Sequence, residues 1–87
     1  MNKIFKYELH LGATALYMPA NAKFLSIQLQ AGKFMLWALV NPSNKEVRRV
    51  VYSFATDEEI PEPQELAYIA TVQQGVYVWH FFEKMDK

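Results

Sequence analysis

The 87-residue sequence predicts an all-β domain, a small antiparallel sandwich or partly open barrel of six to seven strands with little or no helix. Three observations carry this. Several short segments alternate apolar and polar residues with a period of two, the pattern of a half-buried strand. Turn-forming residues fall between them, at Gly12, Asn21, Gly32, the run Asn41-Pro42-Ser43-Asn44, and Gly75. Two stretches, Phe34–Val40 and Val76–Phe82, are apolar on both faces, the second broken only by His80. They are rich in β-branched and aromatic residues, and far too short to cross a membrane as helices.

The elements follow in order. From Ile4 to Leu11, Phe5, Tyr7, Leu9 and Leu11 share one face, opposite Lys6, Glu8 and His10, until Gly12 breaks the pattern. Ala15–Met18 is a short second strand ended by Pro19. Phe24–Gln30 is a third, with Leu25, Ile27 and Leu29 on one face and Ser26, Gln28 and Gln30 on the other. The tight connection Ala31-Gly32-Lys33 joins it as a hairpin to Phe34–Val40. Val47–Phe54 is the fifth strand, with Arg48, Val50, Tyr52 and Phe54 opposite Arg49, Val51 and Ser53. Pro61 and Pro63 make Thr56–Glu65 an extended acidic loop, with one turn of helix at most near Pro63–Leu66. Leu66–Val72 and Val76–Phe82 form a second hairpin through Gln73-Gln74-Gly75. Residues 84–87 are a polar tail expected to fray.

The length fits one domain over residues 1–87. A hydrophobic content of 52% excludes a disordered chain. With no cysteine there is no disulfide framework and no thiolate metal site. The N-terminus lacks the apolar core of a signal peptide and no stretch reaches transmembrane length, so the expectation is a cytoplasmic protein with no membrane partner. A strand apolar on both faces needs cover on both, and a domain of this size usually supplies one core. The second face is expected to meet another chain or to line a cleft, with a homo-oligomer, a twofold dimer above all, as the first expectation.

Net charge is zero but unevenly spread: residues 1–49 carry seven basic and two acidic groups, and residues 50–87 two basic and seven acidic ones. Charged loops explain this. So does association of a basic surface with an acidic one. Neither suits duplex DNA, which wants a net basic footprint.

No motif carries catalysis. The two histidines, His10 and His80, stand apart, and no serine has a nucleophile motif around it. The chain is expected to be no enzyme and to hold no metal or cofactor. Candidate contacts are Gln28, Gln30, Trp37, Arg48, Thr56, Gln73, Tyr77 and His80. Neutral amides can read a purine edge or hold an exposed peptide backbone. Aromatics can stack on a ring or anchor an interface. One of the adjacent arginines, Arg48 on this reading, can neutralise a phosphate or carboxylate. As ordinary structure, the same groups are a solvated strand face, core aromatics, a hydrogen-bonded histidine, and an arginine paired with the acidic loop.

Met18-Pro19, Ala22–Gln30 with Gly32, Leu36–Pro42, Ile60-Pro61, Tyr68–Thr71 and Val78–Glu83 together resemble a family of small uncharacterised proteins encoded by phages and prophages. They cover about half the chain. Relatives in that family carry a Gly-Thr-Gly turn after the fifth strand, where this chain reads Ala55-Thr56-Asp57, which puts a phosphate cradle there in doubt. The resemblance brings no known activity. It implies stoichiometric binding in the host cell, either of a host protein or of a small nucleotide-like ligand. The alternative is a structural or assembly component of a phage particle.

Overall fold

A computed structural model describes residues 1–85. Its elements are β1 (Lys3–Leu9), β2 (Ala13–Pro19), β3 (Lys23–Gln30), β4 (Lys33–Val40), β5 (Glu46–Ala55), a single 3₁₀ turn (Pro63–Glu65), β6 (Leu66–Gln74) and β7 (Tyr77–Lys84). They form two antiparallel sheets, ordered β1-β4-β3 and β2-β5-β7-β6, stacked as a sandwich that does not close into a barrel. Strand β3 lies against β6 along one side, and β1 lies beside β2 along the other.

Residues directly opposite in an antiparallel pair share a face, so the register assigns inside and outside. Phe34, Leu36, Ala38 and Val40 of β4 face inward and are buried. Beside them lie Phe5, Tyr7 and Leu9 of β1, and Phe24, Ile27 and Leu29 of β3. The other sheet contributes Leu16, Met18, Val51, Val72 and Phe81. Phe81 is wholly buried, its ring 5.4 Å from that of Phe34, which joins the central strands of the two sheets. Burial of each such side chain contributes about 1.5–3 kcal/mol.

Both expected hairpins form, β3 with β4 and β6 with β7. At the first turn Ala31 and Gly32 take φ of 53° and 79°, the mirror-image geometry that matches strand twist.

The structure corrects several boundaries. Leu25 does not share a face with Ile27 and Leu29. A bulge between Phe24 and Ser26 resets the alternation, Phe24 takes the inward place opposite Ala38, and Leu25 is 46% exposed. A second bulge lies between Tyr68 and Ala70 on β6, so the two edge strands that meet are both irregular. Leu11 lies beyond β1, in the turn where the Gly12 amide donates to Ser53 Oγ at 2.7 Å. Strand β2 begins at Ala13 and includes Pro19, which an edge strand tolerates. Val76 belongs to the turn before β7. Lys84 is not frayed tail but the end of β7, and the Met85 amide donates to the Glu65 carbonyl at 2.8 Å. Residues 86–87 of the expected tail lie outside the described residues.

Arg48 and Arg49 point to opposite faces, as strand alternation requires. Arg49 turns inward. Its Nε and Nη2 donate to the two Glu83 carboxylate oxygens at 2.6 and 2.7 Å, and Nη1 donates to the Ala22 carbonyl at 2.6 Å. The guanidinium also lies 4.0 Å from the centre of the Phe24 ring. Its partner is on β7, not on the acidic loop, and its role is to tie the sheets together at one end.

Candidate functional site

The outer face of the four-stranded sheet is aromatic. Tyr52 of β5 and Tyr68 of β6 stand opposite Phe82 of β7, and Phe54 stands opposite His80. The Phe54 and Tyr68 rings lie 5.9 and 5.6 Å from Phe82 in edge-on contact, and Tyr52 lies 6.3 Å from Phe54. Edge-to-face contact suits the ring quadrupoles. On β2, Tyr17 projects from the same face beside Arg48. Tyr17 and Tyr68 are 58% and 61% exposed.

His80 sits at the margin of this cluster with both ring nitrogens engaged. Nε2 is 2.9 Å from Thr56 Oγ1 and Nδ1 is 3.0 Å from Thr71 Oγ1, which is itself 2.7 Å from the Tyr68 hydroxyl. Hydroxyls donate or accept, so this chain accommodates either tautomer. Among the described residues both nitrogens meet hydroxyls and neither meets a carboxylate. The network pins the turn after β5 to β6 across β7.

Next to the rings the acidic loop closes a pocket of about 220 Å³, lined by Tyr52, Phe54, Pro61, Glu62, Glu65, Leu66 and Lys84. The loop is held at both ends. The Ala55 amide donates to Glu58 Oε1 at 2.8 Å, and Met85 binds the Glu65 carbonyl. Lys84 Nζ lies 4.0 Å from Glu65 Oε1.

The outer face of the three-stranded sheet differs in chemistry. Met35, Trp37 and Leu39 form its apolar centre on β4. Ile4, Lys6 and Glu8 of β1 flank one side, and Lys23, Ser26, Gln28 and Gln30 of β3 the other. The polar groups are engaged locally: Gln28 Nε2 donates to Ser26 Oγ at 3.2 Å, and Lys6 Nζ to Gln30 Oε1 at 3.0 Å.

The eight residues expected from the sequence therefore do not converge. Gln28, Gln30 and Trp37 share the three-stranded face. Thr56 and His80 are bonded together on the four-stranded side. Arg48 is on the same face as His80 but near the start of β5, six residues from Phe54, or about 20 Å along the strand. Gln73 and Gln74 belong to β6 and not to the expected turn, which is Gly75-Val76. Gln73 shares the outer face with Thr71 and His80, and its Nε2 donates to the Gly75 carbonyl at 3.2 Å. Tyr77 of β7 lies on the opposite face and stacks on Trp79 at 6.0 Å. Sequence reasoning missed the pocket residues Tyr52, Phe54, Pro61, Glu62 and Leu66. The shared face of Val50, Tyr52 and Phe54 was visible in the alternation; the pairing of β5 with β7, which adds Phe82, was not.

Among the described residues no group of three His, Asp or Glu side chains is placed to hold a metal ion, and no helix is long and apolar enough to cross a membrane. The chain belongs to the family described as a domain of unknown function (DUF7352), which matches residues 1–87. No curated protein and no solved structure matches the chain.

Proposed function

We propose that this member of the family is a non-enzymatic accessory protein of the phage and prophage type, which acts in the host cell by stoichiometric binding of a host protein. The observation that carries this reading is the aromatic outer face of the four-stranded sheet, where Tyr17 and Tyr68 stand exposed beside half-buried Tyr52 and Phe82, with the pocket that adjoins it. Buried tyrosines and phenylalanines at an interface are the usual anchors of protein–protein affinity. The phage context rests on the resemblance carried by Leu36–Pro42 and Val78–Glu83 among other segments.

A protein fits this face better than a nucleotide. A nucleotide would engage one ring and one cation, such as Tyr17 with its neighbour Arg48, and would leave the rest of the face, with Tyr68 on the far edge strand, exposed. The pocket beside the rings is lined by Glu62, Glu65 and Lys84, and with Lys84 offsetting Glu65 the charge of Glu62 disfavours an anion there.

The second outer face serves self-association in this reading. Trp37, Met35, Leu39 and Ile4 of one copy pack on the same patch of another about a twofold axis. That leaves the four-stranded face free for the partner. One observation favours the alternative of a particle component. Lys6, Lys23 and Lys33 belong to one outer face, while Glu62 and Glu65 adjoin the opposite one. Charge complementarity between copies would then join opposite faces of the sandwich, and such head-to-tail contacts make rings or open filaments rather than dimers.

The test is co-purification from host lysate with the wild type and with Tyr68→Ser, alongside thermal shift against a nucleotide panel. The reading expects one host protein retained at fixed stoichiometry and lost with Tyr68→Ser. A nucleotide at a hundred times its dissociation constant would add about 2.7 kcal/mol of stability. Such a shift with no retained protein overturns the reading, and a ladder of polymers in sedimentation favours the particle component.

A further inference from the structure

We infer that the pocket between β5 and the acidic loop receives an arginine side chain of the bound protein, an inference that rests on the binding function proposed above. The walls specify this chemistry. Tyr52, Phe54, Pro61 and Leu66 give an apolar slot of about 220 Å³, a volume suited to one side chain rather than to a folded segment. Half-buried Tyr52 gives the slot an aromatic wall on which a planar guanidinium can stack. A guanidinium sheds its water more readily than a lysine ammonium, so a largely apolar slot selects arginine over lysine.

The charge at the rim agrees. Lys84 lies 4.0 Å from Glu65, and these two offset each other. Glu62 lines the slot and makes no ion pair among the described residues, so its carboxylate is available to a guanidinium as a bidentate acceptor. Asp57, Glu58 and Glu59 on the same loop add to its negative charge. The anchored loop keeps the slot preformed, so little ordering cost falls on binding.

The probe is ethylguanidinium, titrated into ¹⁵N-labelled protein and followed by amide shifts. Saturable shifts at Phe54, Glu62 and Leu66 are expected. The neutral isostere ethylurea and the Glu62→Gln variant should each weaken binding about tenfold. Glu62 is exposed, so the variant folds. Tyr52→Leu keeps the slot apolar, removes one ring face, and is expected to weaken binding severalfold. Absence of saturable shifts overturns the inference, as does equal binding of ethylurea or an unchanged affinity in Glu62→Gln. If ethylguanidinium fails to bind while the host protein is still retained, the arginine slot falls and the binding function stands. If it binds as described and no host protein is retained, the slot stands and the binding function falls.

Discussion

Arg49 and Glu83 offer a test of the sandwich because breaking their pair should cost more than deleting it. Their side chains keep only 21% and 15% exposure, and two hydrogen bonds of 2.6 and 2.7 Å join them. Breaking a fully buried pair from one side costs about 3–5 kcal/mol. Water still reaches this one, so about 2–3 kcal/mol is expected for Arg49→Met, which strands a carboxylate between the sheets. Glu83→Leu should cost about 1.5–2.5 kcal/mol. It leaves Arg49 its bond to the Ala22 carbonyl and its place over Phe24. The double variant should return to within about 1 kcal/mol of wild type, since apolar replacements need no desolvation of charge. Urea unfolding at fixed protein concentration measures each corner of the cycle. A loss of 2 kcal/mol also lowers the melting temperature by roughly 8–16 °C in a domain of this size. If the two single losses add to the double loss within about 0.5 kcal/mol, the pair carries no coupling and the reasoning is refuted.

Three further outcomes follow from local geometry. Ala31 sits at φ 53° in the β3–β4 turn, where asparagine is at ease, so Ala31→Asn should raise stability by about 0.5 kcal/mol in thermal melts, and an unchanged or lower melting point would contradict the turn assignment. Burial, then the nearby negative charge of Glu46, raises the Tyr7 phenol above its usual 10.0, so the unfolded chain loses that proton first. Stability from this group is full below pH 10 and is lost as pH rises through the folded value, and Tyr7→Phe should flatten the alkaline fall in urea midpoints. Trp37→Ser should abolish the proposed dimer in sedimentation while leaving the dilute-solution far-ultraviolet circular dichroism intact; a dimer that persists refutes the twofold contact.

The period-two alternation located β1, β3 and β5, because inward and outward environments differ most where one face is buried, and continuous apolar runs between turn residues located β4 and β7. Local pattern could not show the bulge at Leu25, since one extra residue leaves the same apolar letters in the sequence and changes only which of them face inward. It could not show that β1 pairs with β4 or β5 with β7, contacts separated by long stretches of chain. Convergence of a site depends on that pairing, which is why Thr56 met His80 while Gln28 and Arg48 went to opposite outer faces.

The sandwich also refines the argument from strands apolar on both faces. Both of them, β4 and β7, turn out to be central strands, each flanked by two neighbours. Their outward side chains Met35, Trp37, Leu39, Val78 and Phe82 are half-buried by those lateral neighbours alone. Part of the apolar surplus is thus covered within each sheet and asks for no second chain. Outward residues on the edge strands have no such shelter: Ile4, Tyr17 and Tyr68 are 60%, 58% and 61% exposed. Hydrophobic stabilisation scales with area still to be removed from water, so these edge residues stand to gain most from a partner. Tyr17 and Tyr68 bracket the aromatic cluster from β2 and β6, the two outermost strands of their sheet. A partner that covers both must span the whole four-stranded face, which a folded protein surface does and a small ligand does not.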